Sequence, residues 1–280
     1  MIKCTDLSRV FGKRTVVDKL SLLIAQGEIF GLLGPNGAGK TTTVRMLTTL
    51  LHPTDGEALV AGFNVVSQPL QVKKNIGYSP QEINLDRDLS GYQNLLLHGL
   101  FHRMPDAAAR SRELLVWAGI ESQANDVVRC YSGGMQRRLQ IARSVMHNPS
   151  ILFLDEPTVG LDPQIRRTIW DLIRSLRDKG IGVLLTTHYI EEAEKLCSRV
   201  GIMNKGKLIA CDTPEHLKLT TGAWIVEVQE KDTYDIDYRH FTDKAEAYEF
   251  ARSLGNGSIR IRESTLEDVF IHYAGERFQS

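Results

Sequence analysis

The sequence predicts an α/β fold with a helical insert and a small α/β appendage at its C-terminal end. Three observations predict it. Between residues 29 and 51 an apolar run enters a glycine-rich loop and leaves as a helical pattern. Further short apolar runs at 75–79, 151–154 and 181–187 end in polar residues and alternate with helical periodicity, as strands of a parallel sheet do. From residue 89 to 149 the strand signals vanish and helical spacing alone remains.

The chain has 280 residues, enough for one large domain and an appendage. Its 24% charged and 42% hydrophobic fractions belong to a folded globular protein. The formal net charge is zero but unevenly spread: residues 221–280 hold 7 Lys and Arg against 12 Asp and Glu. That asymmetry sets residues 221–280 apart from the body at 1–220, and no basic stripe points to nucleic acid. No apolar run is long enough to span a bilayer, and Lys3 is followed by polar residues where a cleavable signal would need an apolar core. Cys4, Cys130, Cys197 and Cys211 have neither metal-site nor redox spacing and read as reduced thiols, mostly in the core.

Residues 2–10 and 15–25 alternate as antiparallel strands, with Leu20, Leu22 and Ile24 on one face. Phe11, between them, is read two ways: a core aromatic, or a ring on which a nucleotide base stacks. Residues 29–33 read as a buried strand. They lead into Gly34-Pro35-Asn36-Gly37-Ala38-Gly39-Lys40-Thr41, a phosphate-binding loop pattern, followed by Thr42 and a helix over 41–51. The glycines let successive backbone N–H groups curl around phosphates, Lys40 adds a point charge, and the Thr41 hydroxyl suits the shell of a Mg²⁺ ion. The helix N-terminus aims at the same anion.

Pro53 and Gly56 mark a turn, and the strand at 75–79 ends at Pro80-Gln81. In the helical block, Tyr92, Leu95, Leu96, Gly99 and Leu100 recur at helical spacing, as do Leu114, Leu115 and Trp117. Ser132 is placed to cap a helix over 133–146. Two glycines in its first turn, Gly133 and Gly134, cost about 1 kcal/mol each against Ala. Bare N–H groups beside a Ser hydroxyl there would make a second anion site.

The run at 151–154 delivers Asp155 and Glu156 at a strand's carboxyl end, where open α/β sheets bind ligands. Alternation along an extended strand points the two opposite ways. Asp155 then suits the Mg²⁺ shell and Glu156 a general base for water. Asp162-Pro163 opens the next helix, with Ile165, Ile169, Leu172, Ile173 and Leu176 as its apolar stripe. His188 follows the strand at 181–187, either touching a terminal phosphate or standing as an ordinary surface histidine. Asn204-Lys205-Gly206 turns a hairpin over 200–210. In the appendage, 223–228 and 258–261 read as strands, 243–254 and 266–273 as helices, with Trp224, Val226 and Val228 on a buried face.

With phosphate loop, Tyr131-Ser132-Gly133-Gly134-Met135, Asp155-Glu156, Asp162 and His188 in this order, residues 2–217 resemble the nucleotide-binding subunit of ATP-binding cassette (ABC) transporters. The resemblance implies a P-loop NTPase cassette: a RecA-like core, an antiparallel β subdomain and the helical insert at about 89–149. It implies ATP and Mg²⁺ as ligands, with Phe11 against adenine. Gln81 stands at the loop sensing Mg²⁺, the attacking water and the membrane partner. Ser132, Gly133 and Gly134 stand in the signature that meets the γ-phosphate held by the opposite subunit. Asp162 lies in the loop crossing that dimer, and His188 is the switch histidine. The partners implied are a second ATPase subunit and membrane permease subunits, docked near Gln81 and Leu95–Phe101. The chain is accordingly expected at the cytoplasmic face of a membrane.

Three departures stand out. Phe11 replaces the commoner Tyr, Met135 replaces a Gln, and Val159-Gly160 replaces a Ser-Ala turn that stiffens the interface loop. Leu266-Glu267-Asp268-Val269-Phe270 is similar to the tail of ABC-2 type drug and lipid exporter ATPases, which sets export as the expectation. The alternatives are an importer subunit and a soluble cassette acting on ribosomes or DNA. The appendage carries no phosphate-binding pattern and is expected to brace the dimer or tune coupling.

Overall fold

The computed structural model describes residues 1–229, 236–254 and 258–274. The chain opens with β1 (Ile2–Phe11) and β2 (Arg14–Ile24), then β3 (Ile29–Leu33), the phosphate loop and α1 (Lys40–Leu47). Next come β4 (Asp55–Val60), β5 (Phe63–Asn64), α2 (Pro69–Asn75) and β6 (Ile76–Ser79). The insert holds α3 (Gly91–Phe101), α4 (Ala107–Trp117), two single 3₁₀ turns and α5 (Gly133–Ser144). The chain returns to the sheet with β7 (Ile151–Asp155), α6 (Pro163–Asp178), β8 (Gly182–Thr187) and α7 (Ile190–Leu196). A hairpin of β9 (Arg199–Asn204) and β10 (Lys207–Asp212) precedes α8 (Pro214–Thr221). The appendage is β11 (Trp224–Gln229), β12 (Ile236–Phe241), α9 (Lys244–Ser253), β13 (Ser258–Glu263) and α10 (Leu266–Ala274).

Three sheets result. One is antiparallel in the order β2-β1-β4-β5, and a three-stranded one is ordered β12-β11-β13. Between them in the chain lies the six-stranded sheet β10-β9-β3-β8-β7-β6, parallel except for β10. Its central strands are buried on both faces, so their apolar runs feed two cores alternately. Ile29 and Leu33 of β3, and Leu152 and Leu154 of β7, join the core beneath α5 and α6. Phe30, Leu32, Ile151 and Phe153 join the core shared with the antiparallel sheet.

Register places the site. Leu33 lies opposite Thr187, and Asp155 opposite Thr186, so three parallel strands end level. The loop after β3, the turn after β7 and the residue after β8 therefore share one edge of the sheet.

Several elements differ from the sequence reading. The helix after the phosphate loop ends at Leu47, short of residue 51. There Thr49 adopts a left-handed φ of 63°, and the N–H groups of Leu50 and Leu51 both donate to the Arg45 carbonyl. The helix over 133–146 stops at Ser144. In β11 the fully buried pair is Ile225 and Val226, while Trp224 is half-buried beneath the Lys244 ammonium, 4.8 Å from its ring centre. Cys4 and Cys197 are buried and Cys130 is exposed, and burial pushes the Cys4 thiol up to about 12.

The appendage is not free of the body. Leu266, Val269 and Phe270 of α10 belong to the same core as β3, β7 and α6. The Leu266 N–H donates to Glu194 of α7, 3.1 Å away. Asp268 anchors the start of α10: Arg262 grips both its oxygens at 2.7 and 2.8 Å, and Thr265 donates to it from N–H and hydroxyl. Burial alone would raise the Asp268 carboxyl, but these bonds carry it below the usual range.

Candidate active site

The phosphate loop folds as its residues require. Gly39 caps α1 at φ 105°, and a Cβ there would lie 2.7 Å from the Val16 carbonyl, so only glycine fits. No side chain caps α1, which leaves its first N–H groups bare for an anion. The Ala38 carbonyl accepts from Gly206 N–H at 3.0 Å, tying the loop to the β9–β10 hairpin.

Lys40 is buried at 4% exposure. Its ammonium donates to the Gly34 and Pro35 carbonyls at 2.7 and 3.1 Å and lies 3.6 Å from Glu156 Oε1. Burial lowers its pKa, and the Glu156 and Asp155 charges oppose that shift. Thr41 donates to Asp155 Oδ1 at 3.0 Å. A hydroxyl and a carboxylate oxygen meeting at the phosphate loop form the hard-oxygen pair that suits Mg²⁺, so these two residues would hold that ion.

The two carboxylates do not point apart. Glu156 leaves the strand at a left-handed φ of 47°, which swings its side chain back toward the loop. This overturns the expected alternation: Asp155 faces Thr41 while Glu156 faces Lys40 and His188. A left-handed glutamate is strained, and neighbours hold it there. Thr186, fully buried, receives the Glu156 N–H on its hydroxyl at 3.0 Å and donates that hydroxyl to Asp155 Oδ1 at 2.6 Å.

His188 is no surface histidine. Its side chain is 11% exposed, and Nδ1 stands 3.1 Å from Glu156 Oε2. That approach is close but poorly aligned for a hydrogen bond, so Nδ1 has no partner bonded in line.

Phe11 is 45% exposed and so is not a core aromatic. One side of its ring carries the Arg9 guanidinium, 4.3 Å from the centre. Phe11, Asn36, Gly37, Gly39, Lys40, Thr41, Thr42, Gln81 and Glu156 line one open cleft with Arg14 and Val16. An aromatic at one end and phosphate donors at the other give it the chemistry of a nucleotide site.

Comparison with known proteins agrees. Residues 17–159 match the ABC transporter family. The chain belongs to that family. A daunorubicin resistance ATP-binding protein, DrrA3 of Streptomyces coeruleorubidus, is 40% identical over 95% of this chain and 93% of its own. The Nod factor export ATP-binding protein I of Cupriavidus metallidurans is 37% identical, covering 100% of this chain and 99% of its own. Among solved structures, the dimeric post-hydrolysis state of the ATP-binding cassette MJ0796 with ADP and Pi has a TM-score of 0.69. It is 27% identical, covering 76% of this chain and 98% of that one. The chain is thus an ABC cassette, an ATPase.

The remaining ABC motif residues lie away from the cleft. Ser132 caps α5, its hydroxyl receiving Met135 N–H at 3.3 Å, and it is exposed together with Gly133. Gly134 is buried for packing: a Cβ there would meet Ile165 of α6 at 2.7 Å. Asp162 caps α6 through Ile165 N–H at 2.9 Å. None of these residues lines the cleft around Lys40.

Sequence reasoning missed three supports of the ABC site. Thr186 reads as an ordinary β-branched strand residue. Glu192, 1% exposed, accepts from Thr158 and Trp170 at 2.8 and 3.0 Å and props the loop after Glu156. Arg137 and Gln140 of α5 hold the Gln81 loop by its backbone. Arg137 donates to the Pro80 and Gln81 carbonyls at 2.9 and 2.6 Å, and Gln140 to those of Pro80 and Glu82 at 3.0 Å each. Three-residue spacing on one helical face was the available signal.

Proposed function

We propose that this cassette hydrolyses ATP to energise export through separate membrane-spanning subunits, acting as a head-to-tail pair. One observation carries the reading: Lys40, Thr41 and Glu156 line one cleft, with Asp155 bonded to Thr41 and His188 beside Glu156, while Ser132 and Gly133 stand exposed outside it. Half a site on each face calls for a second copy. In that pair the α5 N-terminus of one subunit covers the phosphates held by the other, as preorganised donors aimed at developing charge. Lys40 exchanges its loop carbonyls for phosphate oxygens. Glu156 accepts the proton of the attacking water, and His188 orients the terminal phosphate beside it. Thr41 and Asp155 would hold Mg²⁺, which would neutralise phosphate charge.

Export follows from kinship with proteins named for daunorubicin resistance and Nod factor export. The membrane partner fits at α3, where Leu97, Leu100 and Phe101 are 42%, 55% and 84% exposed, while Leu95 is buried and takes no part. Arg137 and Gln140 link the Gln81 loop to the helix that carries Ser132, a mechanical path between partner and ATP. No helix of the described residues is long and apolar enough to cross a membrane. In this reading the membrane subunits hold the chain at the cytoplasmic face, and the appendage from residue 221 braces the pair or tunes coupling.

Mixed dimers test the pairing. One subunit carries Ser132→Arg and the other Lys40→Ala. If the signature acts across the interface, both defects fall in one site and the other keeps hydrolysing. Two dead sites in a formed mixed dimer would show that the signature acts on its own subunit's nucleotide.

A further inference from the structure

A groove that shares no lining residue with the ATP cleft gathers three histidines that hydrolysis does not use. His98 lies on α3, His102 caps the same helix one turn on, and His147 follows α5. One nitrogen from each lies within 4.8 Å of the others. The His102 and His147 rings are stacked, with centres 4.1 Å apart and planes 6° apart.

His147 is set in one tautomer. Its Nε2 lies 2.9 Å from the Ile76 carbonyl, and only an N–H can bond there. Nδ1 therefore bears a lone pair, and it is buried without a hydrogen-bond partner among the described residues. A backbone carbonyl fixing one imidazole nitrogen while the other stays bare is the arrangement of a metal-ligating histidine. His98 and His102 add the i, i+4 pair that places two imidazoles on one helical face.

We propose that His98, His102 and His147 bind a divalent transition-metal ion of the zinc class, leaving one coordination position open to the groove. Imidazole donors select zinc, copper or nickel over magnesium and calcium, which prefer oxygen. Burial lowers the pKa of all three histidines, and His98 falls to about 4 with help from His102, Arg143 and His147. Arg143 and Lys73 also line the groove. Arg143 is turned onto Asn84, bonding its carbonyl at 2.9 Å and its side-chain oxygen. These cations weaken any bound metal, so the site exchanges its ion rather than holding it permanently. Exposed His102 leaves its stack on His147 to complete the set. The ion ties α3 to β6 through the His147–Ile76 bond.

The test is titration of the full-length protein with Zn²⁺, with excess Mg²⁺ to occupy the phosphate-loop carboxylates, read by calorimetry and thermal unfolding. The expected result is one ion per chain and a rise in Tm with Zn²⁺ concentration. His102→Ala, altered at an exposed position, should weaken binding at least ~10-fold, the loss caused even by removing an outer-shell partner of a metal ligand. His98→Ala with His102→Ala should abolish both readouts. A missing one-to-one isotherm, or a parental isotherm in either variant, overturns the assignment.

Discussion

Replacing Thr186 with Val tests whether the left-handed turn at Glu156 is held for catalysis. The two side chains have nearly the same shape, and the site is fully buried, so packing survives while the hydroxyl is lost. Two bonds go with it: the 2.6 Å donation to Asp155 and the 3.0 Å acceptance from Glu156 N–H. A bond to a charged group is worth about 1.5–3 kcal/mol and a neutral one about 0.5–1.5 kcal/mol. Asp155 keeps Thr41, and Glu156 N–H keeps the Thr186 carbonyl at 3.2 Å, so the net loss is about 2–3 kcal/mol. A left-handed non-glycine residue is itself disfavoured by about 1–2 kcal/mol, less than the support withdrawn. The turn should then relax toward extended backbone and carry the Glu156 carboxylate away from Lys40 and His188. At 1.36 kcal/mol per decade, hydrolysis should fall roughly 30- to 160-fold. Single-turnover hydrolysis measures the rate, and a fluorescent nucleotide measures binding, which should stay near parental. Thr186→Ser restores the hydroxyl and should recover most of the rate. A Val variant within about 3-fold of parental, under half a decade in rate, would mean that the Thr186 hydroxyl does not hold the turn, as would a Ser variant equally impaired.

Two other perturbations probe the frame around the site. Phe270→Ala removes a ring that is 1% exposed in the main core and should cost about 3–5 kcal/mol, measured by urea unfolding. A loss under about 1 kcal/mol would mean that α10 is not part of that core. Glu192→Gln addresses pH: burial holds the Glu192 carboxyl above its ordinary value. The folded protein then binds that proton more tightly than the unfolded chain. Its contribution is complete below the unfolded pKa of about 4.3 and is lost as pH rises through the folded value. Between acid and alkaline pH the parental protein should therefore lose more Tm than Glu192→Gln, and superimposable pH profiles would contradict this.

What the sequence disclosed and what it hid have physical reasons. The phosphate loop, the strand ends and the caps at Ser132 and Asp162 were legible because each rests on local chemistry: glycines, apolar runs cut by charge, and short side chains that reach backbone N–H groups. The Glu156 turn was hidden because glutamate gives no sign of a positive φ, and the partners that hold it, Thr186 foremost, come from distant parts of the chain. Helices α2, α7 and α8 have seven or eight residues each, too few for a helical stripe to repeat. Arg137 and Gln140 resemble solvated polar positions until the Gln81 loop is folded over them. The union of α10 with the main core was hidden by the charge contrast between body and appendage, which describes surfaces and says nothing of a buried face.

If this chain completes its ATP site only with a second copy, Glu156 then ends the bound state. Light scattering of Glu156→Gln with ATP and Mg²⁺ tests both parts at once. The expected result is a stable dimer retaining unhydrolysed ATP, and a monomer when Lys40→Ala is added. A Glu156→Gln protein that hydrolyses ATP at the parental rate, or that binds ATP and stays monomeric, would contradict it.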